Sequence, residues 1–276
     1  MNPKSQEFGA EGENPFRDLR IDDVSFLDDI DNRSQCINCK KSRKYFCYTC
    51  YVPVEALNGR IPQLKLPIKI DIIKHSREID GKSTAAHAAV LAGNDVSVYT
   101  FPCVPDYKPS DKVVVVYPGK NAMTLAEYFS ANRNKDDSGE PRAKRRNTGA
   151  GDPIGEPPDS SNIASSEECV LRAVFIDSTW NQSRGMFKDP RLYSLPCVVL
   201  ERRLSHFWRH QSGSPRWYLA TIEAIHQFLF EFHNLTDSQP YSGQYDNLLF
   251  FFRYMYSKIH KLYDHDDLKA YKRPVE

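Results

Sequence analysis

Apolar residues recur along this chain with two different periods, and the alternation between them predicts its elements. Leu66-Pro67-Ile68-Lys69-Ile70-Asp71-Ile72-Ile73 reads as a strand, the alanine-rich stretch from Ser83 to Leu91 as a helix opened by Ser83 or Thr84, and Val96 to Phe101 as a strand. Val113-Val114-Val115-Val116-Tyr117 is β-branched at nearly every position, the mark of a strand buried on both faces, and it stops at Pro118-Gly119. Thr124 to Asn132 predicts a helix. Val170 to Ile176 is a second doubly buried strand, ended by Asp177 and followed by a short helical segment. Cys197 to Leu200 adds a strand, Tyr218 to Phe232 a helix with Ile222, Ile225, Phe228, Leu229 and Phe232 on its apolar side, and Gln244 to Tyr263 a long amphipathic helix. Strands alternating with helices predict an α/β fold on a mostly parallel sheet flanked by helices.

Two polar stretches interrupt this pattern. Acidic residues dominate between Glu11 and Asp31, with Ile21, Val24, Phe26, Leu27 and Ile30 scattered among them; the expectation is a loosely ordered arm, although the apolar spacing would also let part of it dock. From Asn132 to Glu168 the chain is rich in Asp, Gly, Pro and Ser and carries the basic run Lys144-Arg145-Arg146, which predicts a disordered insertion. The organisation expected is an acidic arm over residues 1–33, a small metal knuckle over 34–56, a main domain over 57–131 and 170–264, the insertion over 132–169, and a tail over 265–276.

Composition narrows the setting. With 276 residues and 40% hydrophobic content the chain can bury a core, no apolar run reaches membrane-spanning length, and residues 1–13 lack the apolar centre of a signal peptide, so an intracellular protein is expected. A net charge of only +1 means that a nucleic-acid partner would be held by local basic patches rather than a global field. Four of the seven cysteines form two CxxC pairs, Cys36 with Cys39 and Cys47 with Cys50. Such pairs grip opposite edges of a tetrahedral zinc ion, and four thiolates leave no open coordination position, so the metal would be structural. The loop between them offers Lys40, Lys41, Arg43 and Lys44 with Tyr45 and Phe46: either a solvated surface or a set of phosphate and base contacts. Cys103, Cys169 and Cys197 have no partner motif and are read as free thiols.

Familiar templates fail. Gly81-Lys82-Ser83 has the end of a phosphate-binding loop, but Ser76 stands where its first glycine belongs; GxSxG, HExxH and GxGxxG do not occur. Asp177-Ser178-Thr179-Trp180 sits where open α/β sheets place ligand chemistry, at a strand end before a helix. By itself it is equally well an ordinary helix cap with a core tryptophan.

Its companions carry a resemblance. Asp177-Ser178-Thr179-Trp180-Asn181-Gln182 resembles the signature of the DTW-domain tRNA-uridine aminocarboxypropyltransferases. In the same order as in that family stand Cys36 to Pro53 with its CYTCYVP run, Lys69 to Glu78, Gly81 to Thr84, Tyr117-Pro118-Gly119, Phe207 to His210, Thr221 to Ala224 and Gly243 to Phe251. The paired CxxC motifs are most similar to the eukaryotic branch. Ser76 replaces a proline and Ala220 a serine of the family pattern.

The resemblance implies a SPOUT-related fold with a trefoil knot, S-adenosylmethionine as donor and tRNA as acceptor. Uridine N3, with the D-loop favoured, would take the 3-amino-3-carboxypropyl group and methylthioadenosine would leave. It implies Asp177 as the catalytic residue, as base or as orienter of the donor's amino group. Donor contacts are implied at Pro118, Gly119, Ser178, Thr179, Trp180, Leu200, Thr221 and Glu223, with Arg184, Arg209 or Lys82 as anion anchors. Arg202, Arg203 and Arg209 join the knuckle loop as tRNA contacts. Lys144-Arg145-Arg146 is compatible with nuclear import, with the cytoplasm as the alternative. The competing readings are a SPOUT-like RNA methyltransferase, a non-catalytic zinc-dependent RNA-binding module, and a zinc-knuckle adaptor for protein.

Overall fold

The computed structural model describes residues 14–136, 172–211 and 213–275. Two short antiparallel hairpins come first: β1 (Ser34–Gln35) pairs with β2 (Ser42–Arg43), and β3 (Phe46–Cys47) with β4 (Val52–Pro53). Each hairpin turn carries one CxxC pair, and Lys40 and Tyr51 take the left-handed conformation that such turns need, at φ 59° and 56°.

The remaining strands, β5 (Lys69–Lys74), β6 (Val96–Thr100), β7 (Val113–Val116), β8 (Met123–Thr124), β9 (Arg172–Asp177) and β10 (Cys197–Val199), form one sheet in the order β6-β5-β9-β7-β10-β8. Every pairing in it is parallel. The two-residue period sends side chains to opposite faces. Ile70, Ile72, Val114, Ala173 and Phe175 join one core. Ile73, Val115 and Val174 join a second core across the sheet. The first core is covered by α1 (Ala85–Leu91), α5 (Thr221–Thr236) and α6 (Phe250–Leu262), and touched by α2 (Leu125–Asp136); the second is capped by α3 (Trp180–Met186) and α4 (Pro190–Tyr193). This is the expected mixed α/β arrangement, a parallel sheet flanked by helices.

Four expectations change. Residues 14–33 of the supposed disordered arm are packed: Phe16 meets Phe252 and Tyr256 edge-on, Leu27 is fully buried, and Arg20 N donates to Asp246 Oδ2 at 2.8 Å. The scattered apolar residues outweigh the acidic character because they fill the surface of α6 while Asp28 pairs outward with Lys258. At Gly243, φ is 94° and a Cβ would lie 2.7 Å from Arg20 Cβ, so this approach requires glycine. The long C-terminal helix is split, a 3-10 turn over Asp246–Leu249 preceding α6. Asp246 is buried there, accepting from Arg20 N, from Tyr241 Oη at 2.7 Å and from the His226 ring at 2.8 Å. The tail is also docked, with Ala270, Tyr271 and Arg273 buried and Arg216 N donating to Pro274 O. The helix predicted to end at Asn132 runs on through Asp136; residues 1–13 of the arm and 137–169 of the insertion lie outside the described residues.

Candidate active site

A parallel sheet gathers all its strand ends on one edge. Here the carboxyl ends of β5, β7, β9 and β10 bring together His75–Ser83, Tyr117–Gly119, Asp177–Trp180 and Leu200, and α5 begins beside them at Thr221. Asp177 is the last residue of β9, in register with Lys74, and only 5% exposed. Its Oδ2 accepts from Ser83 Oγ at 2.7 Å and its Oδ1 from Thr221 Oγ1 at 2.6 Å. Burial pushes its pKa up from the ordinary value, against the pull of the two hydroxyls and the Lys74 ammonium. The helix-cap alternative falls to Thr179 instead, whose N and Oγ1 both donate to Gln182 Oε1 at the start of α3.

Around Asp177 stand charged groups of both signs. Glu78, half-buried, has its pKa raised by burial and by Asp177, against Lys74, Lys82 and Arg209. Arg209 Nη2 donates to Gly81 O at 3.5 Å, and Lys74 pairs with Asp80. Trp180 packs on Tyr218 with ring centres 3.9 Å apart, Trp217 meets Tyr218 edge-on at 4.4 Å, and the Arg202 guanidinium lies 4.8 Å over Trp217. Tyr218 and Trp217 escaped the sequence reading, which placed Tyr218 inside a helix; α5 starts three residues later and leaves both in the approach loop.

Several expected site residues are placed at this edge but turned elsewhere. Glu223 is 1% exposed and fully engaged, accepting from Ser205 Oγ at 2.6 Å, His206 N at 2.7 Å and Ala220 N at 2.8 Å. Arg203 points inward, donating to Gln227 Oε1 at 2.7 Å and facing the carboxylates of Glu223, Glu231 and Asp246. Arg43, 6% exposed, donates to Thr49 Oγ1 and lies 3.9 Å over the Tyr48 ring, so it holds the knuckle. Each of these charged groups is engaged by partners inside the protein, a property that spacing along a sequence does not reveal. Gly119 is partly exposed and leaves little room for a side chain, since a Cβ there would lie 3.1 Å from Cys197 Sγ; Leu200 packs against the core. Pro118, Ser178 and Thr179 line the open edge, and Lys40, Lys41, Lys82, Arg184 and Arg202 are exposed with Lys44 half-exposed.

The four cysteine sulfurs lie within 4.8 Å of one another, with Cys39 and Cys47 Sγ 3.6 Å apart. Tetrahedral zinc with Zn–S of about 2.3 Å spaces its sulfurs by about 3.8 Å, so the cluster fits that ion. The thiols titrate apart. Burial raises Cys47, but the backbone amides of Thr49 and Cys50 and the Arg43 guanidinium win and lower it to about 6; burial and its thiol neighbours push Cys50 up to about 12. A divalent cation at the centre removes the repulsion that separates them. The knuckle abuts the active edge: Thr49 Oγ1 lies 3.5 Å from Asp80 Oδ2, and a Cβ on Gly81 would contact the Tyr48 ring at 3.6 Å.

Comparison with known proteins decides the family. A model of the DTW domain matches residues 44–260, which contain the whole strand edge and the Asp177–Trp180 segment. The chain belongs to the DTW domain family. Among curated relatives, tRNA-uridine aminocarboxypropyltransferase 1 of Xenopus tropicalis is 45% identical over 82% of this chain and 79% of its own length. The protein of that name from Xenopus laevis is 43% identical over 93% and 91%, and the one from Homo sapiens 40% identical over 93% and 87%. No solved structure matches the chain significantly. The DTW match begins after Cys36 and Cys39, so the first half of the knuckle lies outside it.

Proposed function

We propose that this chain is a tRNA-uridine aminocarboxypropyltransferase using S-adenosylmethionine. The observation that carries the reading is Asp177 at the sheet edge, clamped between Ser83 and Thr221, in a chain whose curated relatives bear that name over most of their length. In this reaction uridine N3 bonds to the donor's γ-carbon, the sulfur–carbon bond breaks, and the electron pair returns to sulfur, giving neutral methylthioadenosine. The N3 proton must go to a base. The sulfonium is already an activated leaving group, so the protein's work is alignment and proton removal.

Asp177 suits the orienting role better than the base role, since both its oxygens already accept hydrogen bonds and little of it is exposed. Its charge would hold the donor's ammonium, with Ser83 and Thr221 fixing the carboxylate plane. Glu78 is the proton acceptor we assign: it is half-exposed, and its raised pKa brings it nearer the acidity range in which a carboxylate accepts a proton at neutral pH. Arg209 and Lys82 supply positive charge for the donor's carboxylate or a tRNA phosphate. Pro118, Ser178, Thr179 and Trp180 complete the donor pocket, and Lys40, Lys41, Lys44 and Arg202 the tRNA surface. Zinc held by Cys36, Cys39, Cys47 and Cys50 would stiffen the knuckle behind the His75–Ser83 loop. The return of β9 between β5 and β7 supports reading the C-terminal segments as a SPOUT-related knotted donor site. A D-loop uridine and a nuclear location belong to the same proposal; the latter rests on Lys144-Arg145-Arg146, outside the described residues.

The by-product tests the reaction class. Incubation with tRNA and S-adenosylmethionine is expected to release methylthioadenosine; release of S-adenosylhomocysteine instead would make the protein a methyltransferase.

A further inference from the structure

Beyond Arg209 the chain enters a second feature that the reaction does not use. The C-terminal segment folds back over residues 210–211 and 213–216, tied by Arg216 N to Pro274 O at 2.8 Å and by Tyr271 Oη to His206 O at 3.0 Å. Between them lies a depression of about 470 Å³ lined by His210, Ser214, Lys269, Lys272 and Arg273, with glycine and proline between them and no acidic side chain among the described lining residues. Arg273 is 6% exposed. Its Nε donates to Ala270 O at 2.8 Å and its Nη1 reaches Pro215 O at 3.3 Å and Gln211 Oε1 at 3.4 Å. Its Nη2 is buried with no hydrogen-bond partner. The His210 ring is fixed by Nδ1, 3.2 Å from Lys269 O, and because a carbonyl only accepts, that nitrogen carries a proton.

Keeping a guanidinium buried with an unused donor costs free energy, and three further cationic or protonatable groups around one hollow repel one another. The repulsion falls when an anion with several acceptor oxygens enters, and phosphate has the charge and geometry that arginine and lysine read. Asp266 and Asp267 precede the segment but do not line the hollow. The pocket begins one residue after Arg209, which itself touches the active-edge loop at Gly81.

We propose that this pocket is a phosphate-binding site that anchors the tRNA backbone beside the active edge. The proposal rests on the tRNA reading above. An anchor here fixes where the backbone runs relative to the target uridine without contacting a base, so it contributes affinity and register and no sequence preference.

The test uses the full chain and a tRNA transcript in filter binding over a series of salt concentrations. Lys269→Gln combined with Lys272→Gln changes two exposed residues and leaves the buried tail contacts intact. The expected result is roughly tenfold weaker tRNA binding, with the slope of log K against log salt reduced by about one to two units, as losing one or two phosphate contacts requires. Arg273→Lys, which keeps the charge but removes the fork, is expected to weaken binding less. S-adenosylmethionine affinity, read by calorimetry, is expected to stay unchanged. Unaltered tRNA affinity and slope in the double variant would overturn the proposal, as would calorimetry in which the variant loses only inorganic phosphate, which would make this a small-anion site. If tRNA binding weakens as expected but no uridine is modified, the pocket stands and the enzymatic reading falls.

Discussion

Two buried carboxylates flank the start of α5, and they are held in opposite ways. Glu223 accepts from two backbone amides, Ala220 N and His206 N, and from Ser205, with the Arg203 charge behind it. Asp177 accepts from two side-chain hydroxyls, Ser83 and Thr221, which come from different elements and can rotate to other acceptors. Removing Glu223 strands two backbone amides that have nowhere to turn and takes one of its carboxylates from Arg203, whereas removing Asp177 leaves hydroxyls that re-pair. The first carboxylate is architecture; the second sits in a place where a ligand's ammonium could compete for it.

Substitution should separate the two most sharply. Glu223→Ala is expected to lose roughly 3–5 kcal/mol of stability, the usual cost of breaking a buried charge cluster on one side, and to show it as a large drop in urea midpoint. Asp177→Asn should change the midpoint little, because Asn keeps the shape and an acceptor oxygen for the Ser83 or Thr221 hydroxyl, while kcat/KM falls on the order of a hundredfold from lost alignment. Equal effects of the two substitutions on stability would erase the distinction. Next in size is the knuckle. Cys47→Ser is expected to lower bound zinc measured by emission spectroscopy and, through Thr49 on Asp80 and Tyr48 on Gly81, to weaken donor binding severalfold. Normal donor affinity in the metal-depleted protein would detach the knuckle from the site.

Smaller effects test the clamp itself. Ser83→Ala and Thr221→Val each remove one hydroxyl from Asp177, and a loss of roughly tenfold in kcat/KM is expected from either, with the double variant falling short of the product because both act on one carboxylate. The smallest concerns pH. Burial, aided by Arg209, holds the His87 pKa down to about 3, and its Nδ1 is buried without a partner. The folded state therefore resists a proton that the unfolded chain accepts, so the contribution is intact above about pH 6.5 and is lost as pH falls from there towards 3. His87→Leu is expected to flatten the decline in urea midpoint between pH 7.5 and pH 5.

How much was legible in the sequence follows the same division between backbone and side chain. Val113 to Val116, the part of the expected strand from Arg172 to Ile176, and the Ala85–Leu91 helix were readable because a run of branched or small residues has few alternatives. The paired CxxC motifs were readable because metal geometry fixes their spacing. Ile21 and Leu27 were visible as apolar residues fit to dock but Phe16 was not, and the surface of α6 that receives the segment exists only in the folded chain. At the site, Asp177 was visible as a strand end, yet Ser83 and Thr221 reach it from sequence separations of 94 and 44 residues. Arg203 and Arg43 resembled surface cations because nothing local marks a basic residue whose partners come from other elements. Trp217 and Tyr218 were missed for a related reason: Tyr218 meets Trp180, with Trp217 edge-on behind it, only after the sheet brings β9 beside the loop before α5.

The most direct measurement is mass spectrometry of the nucleosides from unmodified tRNA incubated with the purified protein and S-adenosylmethionine. A uridine carrying the 3-amino-3-carboxypropyl mass, absent with Asp177→Ala, is the predicted result. A methylated nucleoside, no adduct at all, or an undiminished adduct from Asp177→Ala would contradict the account.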